Sequence, residues 1–416
     1  MRRNFRIFSV FLLFITITLP SCNAEKTLVL RFKNSLKLDR INEVVALNLT
    51  SFTAEKGDLP VGSLPVFIDG TDTLTSQNID LNKDGIPEEI LVEISLKADS
   101  HKDIEVVYVL RENFPDFPMK TNLHFAFKNN PQTEIDSATR IQSTETKVTA
   151  KILQMEGPVW ENDKVGFRNY YDLRNGMDIF GKISDKMVLD SIGLTSSYHV
   201  LSNWGMDILK VANSLGAGAI GVETNGKLYR IGDNGQSAFE RIIEGPLKSE
   251  FAFYFTNWTA GTERINLIQY ISITSGLYRF ETEVFAELPD ASYSLVTGIV
   301  NKHADSLVFK ETGENHVFLS SFAKQAEDSA NLGMAVLIPK NIYKSHESAP
   351  NAGEGITECY YARMKMNLED PAHYYFYAGW ETGNSVFGSS EGFLGTIEED
   401  VHKLESPIQI QKLAIK

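Results

Sequence analysis

The sequence predicts an all-β protein, a small N-terminal β-sandwich followed by a large antiparallel β-sandwich of the super-sandwich type. Three observations carry this. Short runs mixing apolar and polar residues recur with turn residues between them, as strands with one wet face do. Later runs such as Arg279-Phe-Glu-Thr-Glu-Val-Phe-Ala-Glu alternate apolar with charged residues, as a sheet with one wet face does. Helix-like stretches are brief, around residues 205–214 and 321–328.

Taken in order, residues 1–22 read as a secretory leader. Arg2, Arg3 and Arg6 precede an apolar run from Ile7 to Leu19, too short to span a bilayer, and Leu19-Pro20-Ser21-Cys22 follows. A cysteine at the cleavage point is the pattern of a lipid-anchored envelope protein, with Pro20 unusual in that box. The expected location is the cell envelope, an outer-membrane lipoprotein facing the periplasm or the exterior and held to the membrane by its lipid alone. Residues 23–115 give the small sandwich, with strands at Thr27-Leu-Val-Leu-Arg-Phe, Val44-Val-Ala-Leu-Asn-Leu, Val66-Phe-Ile, Ile90-Leu-Val-Glu-Ile and Ile104-Glu-Val-Val-Tyr-Val-Leu. Residues 116–145 read as a connector. Residues 146–416 form the large sandwich, the expected catalytic domain, with longer strands over 147–155, 265–274, 276–288 and 374–380.

Composition narrows the function classes. The formal charge is −14, which argues against nucleic acid and anionic lipid as main partners. The mature chain keeps one cysteine, Cys359, so no internal disulfide forms and the fold rests on its core. The sequence shows no serine-hydrolase elbow and no dense Cys/His cluster. Gly216, Gly218 and Gly221 imitate a dinucleotide fingerprint, but no βαβ pattern surrounds them and no acidic residue follows at the required distance.

Five pieces of the chain concentrate side chains able to do chemistry. Asp80, Asn82 and Asp84 place oxygens at alternate positions before Gly85, as a calcium loop opens; Leu91 stands where an EF-hand has its bidentate Glu. A hairpin turn at Asp84-Gly85 is the competing reading. The segment from Glu156 to Lys182 is dense in acids, bases and aromatics. In it Trp160 offers a stacking face, and Arg168 and Tyr170 share strand parity, a guanidinium fork beside a phenol. The segment from Tyr198 to Gly221 holds His199, a candidate proton-transfer group, with Trp204, Asp207 and Lys210; on a short helix Asp207 and Lys210 would meet at i,i+3. Arg230 and the aromatic run from His373 to Trp380 complete the set.

Glu156-Gly-Pro-Val-Trp-Glu-Asn-Asp-Lys-Val-Gly-Phe-Arg-Asn-Tyr-Tyr-Asp, Asp178-Ile-Phe-Gly-Lys, Trp204-Gly-Met-Asp-Ile-Leu-Lys-Val, Ser214-Leu-Gly-Ala-Gly and Ala378-Gly-Trp-Glu resemble an uncharacterised-domain family of envelope proteins from polysaccharide-utilisation loci, a family that includes an ulvan oligosaccharide dehydratase. The resemblance runs over nearly the whole mature chain and takes in the Asp80-x-Asn-x-Asp-Gly loop. It implies an oligosaccharide dehydratase, a hydro-lyase that removes water from a non-reducing-end uronate to leave a 4,5-unsaturated sugar. That reaction needs a base for the C5 proton, an acid for the departing 4-hydroxyl and a cation for the carboxylate. His199 with Tyr171 or Tyr170 are the expected pair and Arg168 or Arg230 the cation. His373 is the reserve, and Trp160, Trp204, Asp207, Lys210 and Trp380 are further substrate contacts. No cofactor is required; calcium at Asp80, Asn82 and Asp84 would be structural. Family members tend to carry Gly-Pro-Val-Arg where this chain has Gly245-Pro246-Leu247-Lys248, and Lys lacks the bidentate fork. Two rivals stand beside this: a glycoside hydrolase using paired acids such as Glu161 and Asp207, and a glycan-binding lipoprotein relying on Trp160 and Trp380.

Overall fold

The computed structural model describes residues 28–48, 62–195, 197–231, 235–304, 306–365 and 371–413. Residues 1–22, where a leader ending at Cys22 is expected, lie outside the described residues. The fold is all-β: antiparallel sheets with two α-helices among the described residues, α1 (Thr146–Ile152) and α2 (Ser390–Glu405).

The N-terminal sandwich packs a five-stranded sheet against a three-stranded one around Leu30, Phe32, Phe67, Val92, Ile94 and Ile104. Strand Leu28–Lys33 buries alternate residues, the burial its apolar–polar alternation dictates. Its outer neighbour is the last strand of the chain, Gln409–Leu413, with Val29 opposite Leu413 and Lys33 opposite Gln409. The C-terminal strand therefore closes the first sheet and not the large sandwich, where the sequence boundaries put it.

The large module stacks an eight-stranded sheet against a five-stranded sheet that includes Ala217–Thr224 and Tyr293–Val300. A second five-stranded sheet runs in the order Gly205–Asp207, Met177–Lys182, Val165–Asn169, Val159–Asn162, Thr121–His124. Thr121–His124, read from sequence as connector, is its edge. One aromatic pile joins this sheet to the eight-stranded one. Trp160 lies 5.1 Å from Phe251, Phe167 lies 4.9 Å from Phe280, and Phe280 stacks on Phe376 at 5.5 Å. Such offset and edge-on pairs add to the area the rings bury.

Local structure departs from the sequence reading in three places. Residues 146–152 are helix where a strand was expected. Gly205–Asp207 and His316–Ala323 are strands where helical stretches were expected. Helix α2 was missed, although Phe393, Ile397 and Val401 recur every fourth residue and are buried against Phe318 and Leu337. Ser389 caps it, its side chain accepting the Gly392 N–H at 3.1 Å.

Candidate active site

Strand alternation builds the site. In the sheet carrying Val165–Asn169, Trp160, Phe167, Met177 and Ile179 point into the main core. The opposite face carries Val159 and Phe180, covered by a smaller cluster with Met155, Leu189 and Ile192. Arg168 and Asp178 occupy this second face, directly opposite each other in register, and Asp207 enters from the next strand opposite Phe180. Glycine lets that strand approach: Gly205 sits at φ +138°, where a Cβ would lie 1.8 Å from the Gly181 carbonyl oxygen.

Arg168 is 1% exposed; both Nη groups are engaged, and Nε is buried without a partner among the described residues. Its Nη2 donates to Asp178, to Asp207 Oδ2 at 2.9 Å and to the Tyr170 hydroxyl at 3.0 Å; its Nη1 donates to the Tyr198 hydroxyl at 3.1 Å. Glu156 Oε1 lies 3.8 Å from Nη1. Tyr170 donates to Asp178 Oδ2 at 2.7 Å. Its ring lies between two guanidinium groups, Arg168 at 4.6 Å and Arg174 at 4.0 Å from the centroid. Arg174 binds Asp172 with Nε and Nη2 and reaches Glu156 Oε2 at 2.7 Å. Glu156 is delivered by strained backbone, since Met155 and Glu156 both hold positive φ, 49° and 64°, a cost found where a side chain must be aimed.

His199 is the open end of the cluster. Its side chain is 60% exposed, and its Nδ1 lies 3.4 Å from Asp207 Oδ2. The Tyr198 carbonyl accepts the Asp207 N–H at 2.8 Å, which ties the His199 loop to the strand. Electrostatics separate the groups. Burial, then the charge of Asp178, pushes the Asp207 carboxyl well above the usual range, with Arg168 opposing. Burial likewise keeps Tyr170 a phenol, with Arg168 opposing and Asp178 reinforcing. Burial works against the Arg168 charge, but Tyr170, Asp178 and Asp207 outweigh it and the guanidinium stays charged.

The structure thus brings Arg168, Tyr170, His199 and Asp207 together, sets Arg230 beside them through the Arg174 carbonyl, and places the other candidates differently. Tyr171 faces the core, its hydroxyl bonded to the Ala138 carbonyl and its pKa pushed up to about 12 by burial, so Tyr170 is the phenol at the site. Trp160 is 0% exposed within the aromatic pile and cannot stack on a sugar. Trp380 is also buried; its ring meets Gly181 and its Nε1 donates to Asp328 Oδ1 at 3.2 Å. Trp204 is half-buried against Phe180. Lys210 is exposed, and with residues 205–207 in a strand the i,i+3 pairing to Asp207 does not form. Glu161 is fully buried, paired with Lys182 and accepting the Val188 and Leu189 N–H groups, which removes it from any acid pair for hydrolysis.

His373 lies on the eight-stranded sheet, 2.7 Å from Glu281. That carboxyl falls to about 2: burial opposes the shift, and His373 and Arg279 overcome it. Lys248 is on the same sheet, paired with Glu250 at 2.8 Å, and not in the Arg168 cluster. Arg230 is half-buried and donates to the Arg174 and Asn213 carbonyls; among the described residues no carboxylate pairs with it. The reading from sequence missed Glu156, Arg174, Asp178 and Tyr198 as site members. The signal for Asp178 was its place on the next strand, but register is invisible before the sheet is built.

In the Asp80 loop, Asp80 Oδ2 accepts the Gly85 N–H at 2.9 Å and Asn82 Oδ1 the Asp84 N–H at 2.8 Å, with Gly85 at φ +92°. Asp80 Oδ1 is buried without a hydrogen-bond partner. These hard oxygen donors suit calcium in kind. Among the described residues no three His, Cys, Asp or Glu side chains converge at metal-binding spacing.

A family model described as a domain of unknown function (DUF4861) matches residues 32–410. The chain belongs to that family. Over 411 residues this DUF4861 chain is 22% identical to "Uncharacterized protein P7" of Formosa agariphila, covering 91% of each. Its fold is similar to an alpha-mannosidase from Enterococcus faecalis (TM-score 0.51, 9% identity, 94% of this chain and 46% of that one). It is also similar to a protein in the glycosyl hydrolase family 38 from the same organism (TM-score 0.50, 9% identity, 94% and 48%). The chain spans about half the length of the solved structures it matches.

Proposed function

We propose that this chain is a carbohydrate-active hydro-lyase, an oligosaccharide dehydratase that eliminates water from a non-reducing-end uronate, as in ulvan degradation. The observation that carries the reading is the His199–Asp207–Arg168–Tyr170 array, an exposed imidazole backed by a buried carboxyl and linked through a guanidinium to a phenol. With a proton on Nδ1 facing Asp207, His199 presents the lone pair of Nε2 as the base. It takes the C5 proton, the C5–H electron pair forms the C4=C5 bond, and the C4–O bond breaks. Tyr170, held neutral, supplies the proton with which the 4-hydroxyl leaves as water, and the tyrosinate left behind sits against Arg168. Both Nη groups of Arg168 are taken up by its own partners, so the substrate carboxylate is assigned to Arg230, which sits against the Arg174 carbonyl beside the cluster and, among the described residues, pairs with no carboxylate. Lipid anchoring at Cys22 would hold the enzyme in the envelope, where such oligosaccharides arrive.

Hydrolysis is the second reading. It is favoured by Asp207, a buried carboxyl with a raised pKa as a general acid needs, and by the two fold neighbours, an alpha-mannosidase and a protein in the glycosyl hydrolase family 38. Incubation with saturated uronate oligosaccharides followed by mass spectrometry separates them. Loss of one water, with ultraviolet absorbance from the conjugated product, supports the hydro-lyase. Gain of water supports the hydrolase, and unchanged masses sink both.

A further inference from the structure

A cavity lies away from the Arg168 cluster, where the N-terminal sandwich meets the large module. It encloses about 350 Å³ between strand residues 41–46, the turn 274–277, and the end of α2 with Pro407 and Ile408. Its volume falls at the lower end of small-ligand sites. The walls are fixed. Arg40 donates to the Ser406 carbonyl, and the Gln77 amide accepts the Leu247 and Lys248 N–H groups at 2.8 and 2.9 Å. The returning strand Gln409–Leu413 ties the same corner together.

The chemistry of the walls selects a ligand class. The charged groups are already paired within the protein: Glu43 with Arg40, Asp400 with Arg279 at 2.6 Å, and Lys403 with Glu399 at 2.7 Å. Among the described residues each charged wall group has an ion-pair partner. What the walls lack is hydrogen-bond partners. Ser275 is 2% exposed, and its hydroxyl has none among the described residues. Glu43 uses Oε1 on Arg40 and leaves Oε2 buried and unpartnered. Beside these two polar atoms stand Val44, Leu277, Leu404, Pro407 and Ile408, an apolar wall. Hydroxyl donors on one side of a compact ring and a C–H face on the other complement both. Leaving such atoms unpaired costs free energy that a bound hydroxyl recovers.

We propose that this cleft binds a neutral sugar, as a site separate from the Arg168 cluster. Its occupant would be a mono- or disaccharide unit without a carboxylate. The proposal does not depend on the hydro-lyase reading, because the two sites share no residue. It gives the N-terminal sandwich a role that the Arg168 cluster leaves without one: holding a neutral part of a glycan chain.

Saturation-transfer NMR and calorimetry on the full mature protein test it, with xylose, glucose and cellobiose as neutral probes and glucuronate as the charged one. The expected result is a millimolar dissociation constant for at least one neutral probe. Binding should be insensitive to salt, since each charged wall group is already paired. Ala46→Trp, which fills the cleft from an exposed position, should weaken it by roughly tenfold or more. Glu43→Gln, nearly the same shape, should weaken it too and serves if Ala46→Trp fails to fold. Absence of binding for every neutral probe means that water alone fills the cleft and overturns the proposal. Binding that survives both variants, or tighter binding of glucuronate, overturns it as well.

Discussion

At the residue scale, the site is a study in which charges are free to act. Arg168 has a fork suited to a carboxylate, but Asp178, Asp207, Tyr170 and Tyr198 consume it. Removing one partner of a buried ion pair strands the others, so Arg168→Ala should cost about 3–5 kcal/mol. Thermal or urea unfolding checks this, and a variant that melts like wild type would contradict the buried network. His199 is the reverse case. It is mostly exposed, so His199→Ala should leave the melting temperature within a degree or two while turnover falls by roughly 10²–10⁴. Activity that merely tracked the folded fraction would reduce His199 to a packing residue. A third residue carries a pH dependence. His124 Nδ1 meets Glu134 Oε1, and its Nε2 lies 2.9 Å from Gln154 Oε1. The Gln154 amide donates to the Asp190 and Ile192 carbonyls, which fixes its oxygen toward the ring. Both ring nitrogens therefore face acceptors, and the imidazole must be charged. Burial works against that charge; the Glu134 and Gln154 bonds and the charges of Glu134 and Asp190 outweigh it and raise the pKa, while Arg241 holds Glu134 from the other side. The sign follows from linkage. A raised folded pKa gives stability fully present below the unfolded value of about 6.5 and lost as pH rises through the folded one. Melting temperature should fall over that window, and His124→Gln should flatten the slope; an unchanged slope in the variant removes His124 as its source.

At the element scale, the strands were legible because period-two alternation is a local property of the chain. Leu28–Lys33 follows it residue by residue in its burial, and Arg279–Ala286 does so from Phe280 onward. Arg168 and Tyr170 were legible as a pair for the same reason. Cross-strand partners were not, because Asp178 meets Arg168 only once the sheet register is set. Trp160 misled in the opposite direction, since an aromatic among charged neighbours looks exposed until alternation assigns it inward. Helix α2 was overlooked because Gly392, Gly395 and its many acids dilute the pattern, although Phe393, Ile397 and Val401 mark its buried face. Its cap gives a simple check: Ser389→Ala should destabilise by about 1 kcal/mol, read as a lower denaturation midpoint with an unchanged slope. The Asp80 loop tests a different element. Asp80, Asn82 and Asp84 each accept a backbone N–H within it, and the Asp80 Oδ1 atom is unpartnered. If these oxygens take up calcium, the melting temperature should rise, by about 2.7 kcal/mol of stability at a hundredfold excess over the dissociation constant. A melting curve indifferent to calcium and chelator would leave the loop a hairpin held by its own hydrogen bonds.

At the scale of the whole molecule, Gln409–Leu413 returns to the first sheet, so the N-terminal sandwich takes an edge strand from the far end of the described chain. The same closure builds the cleft beside Glu43 and Ser275, while the Arg168 cluster forms on the outer face of a separate sheet. Burial leaves one imidazole of this cluster open, and that placement carries the functional account. The most direct test is wild type and His199→Ala incubated side by side with a saturated uronate-terminated oligosaccharide, followed by mass and ultraviolet absorbance. The account predicts that wild type yields a product lighter by one water and absorbing as a conjugated unsaturated uronate, and that His199→Ala, folded to the same extent, accumulates it roughly 10²–10⁴-fold more slowly. A product heavier by one water, or equal rates from the two proteins, would contradict it.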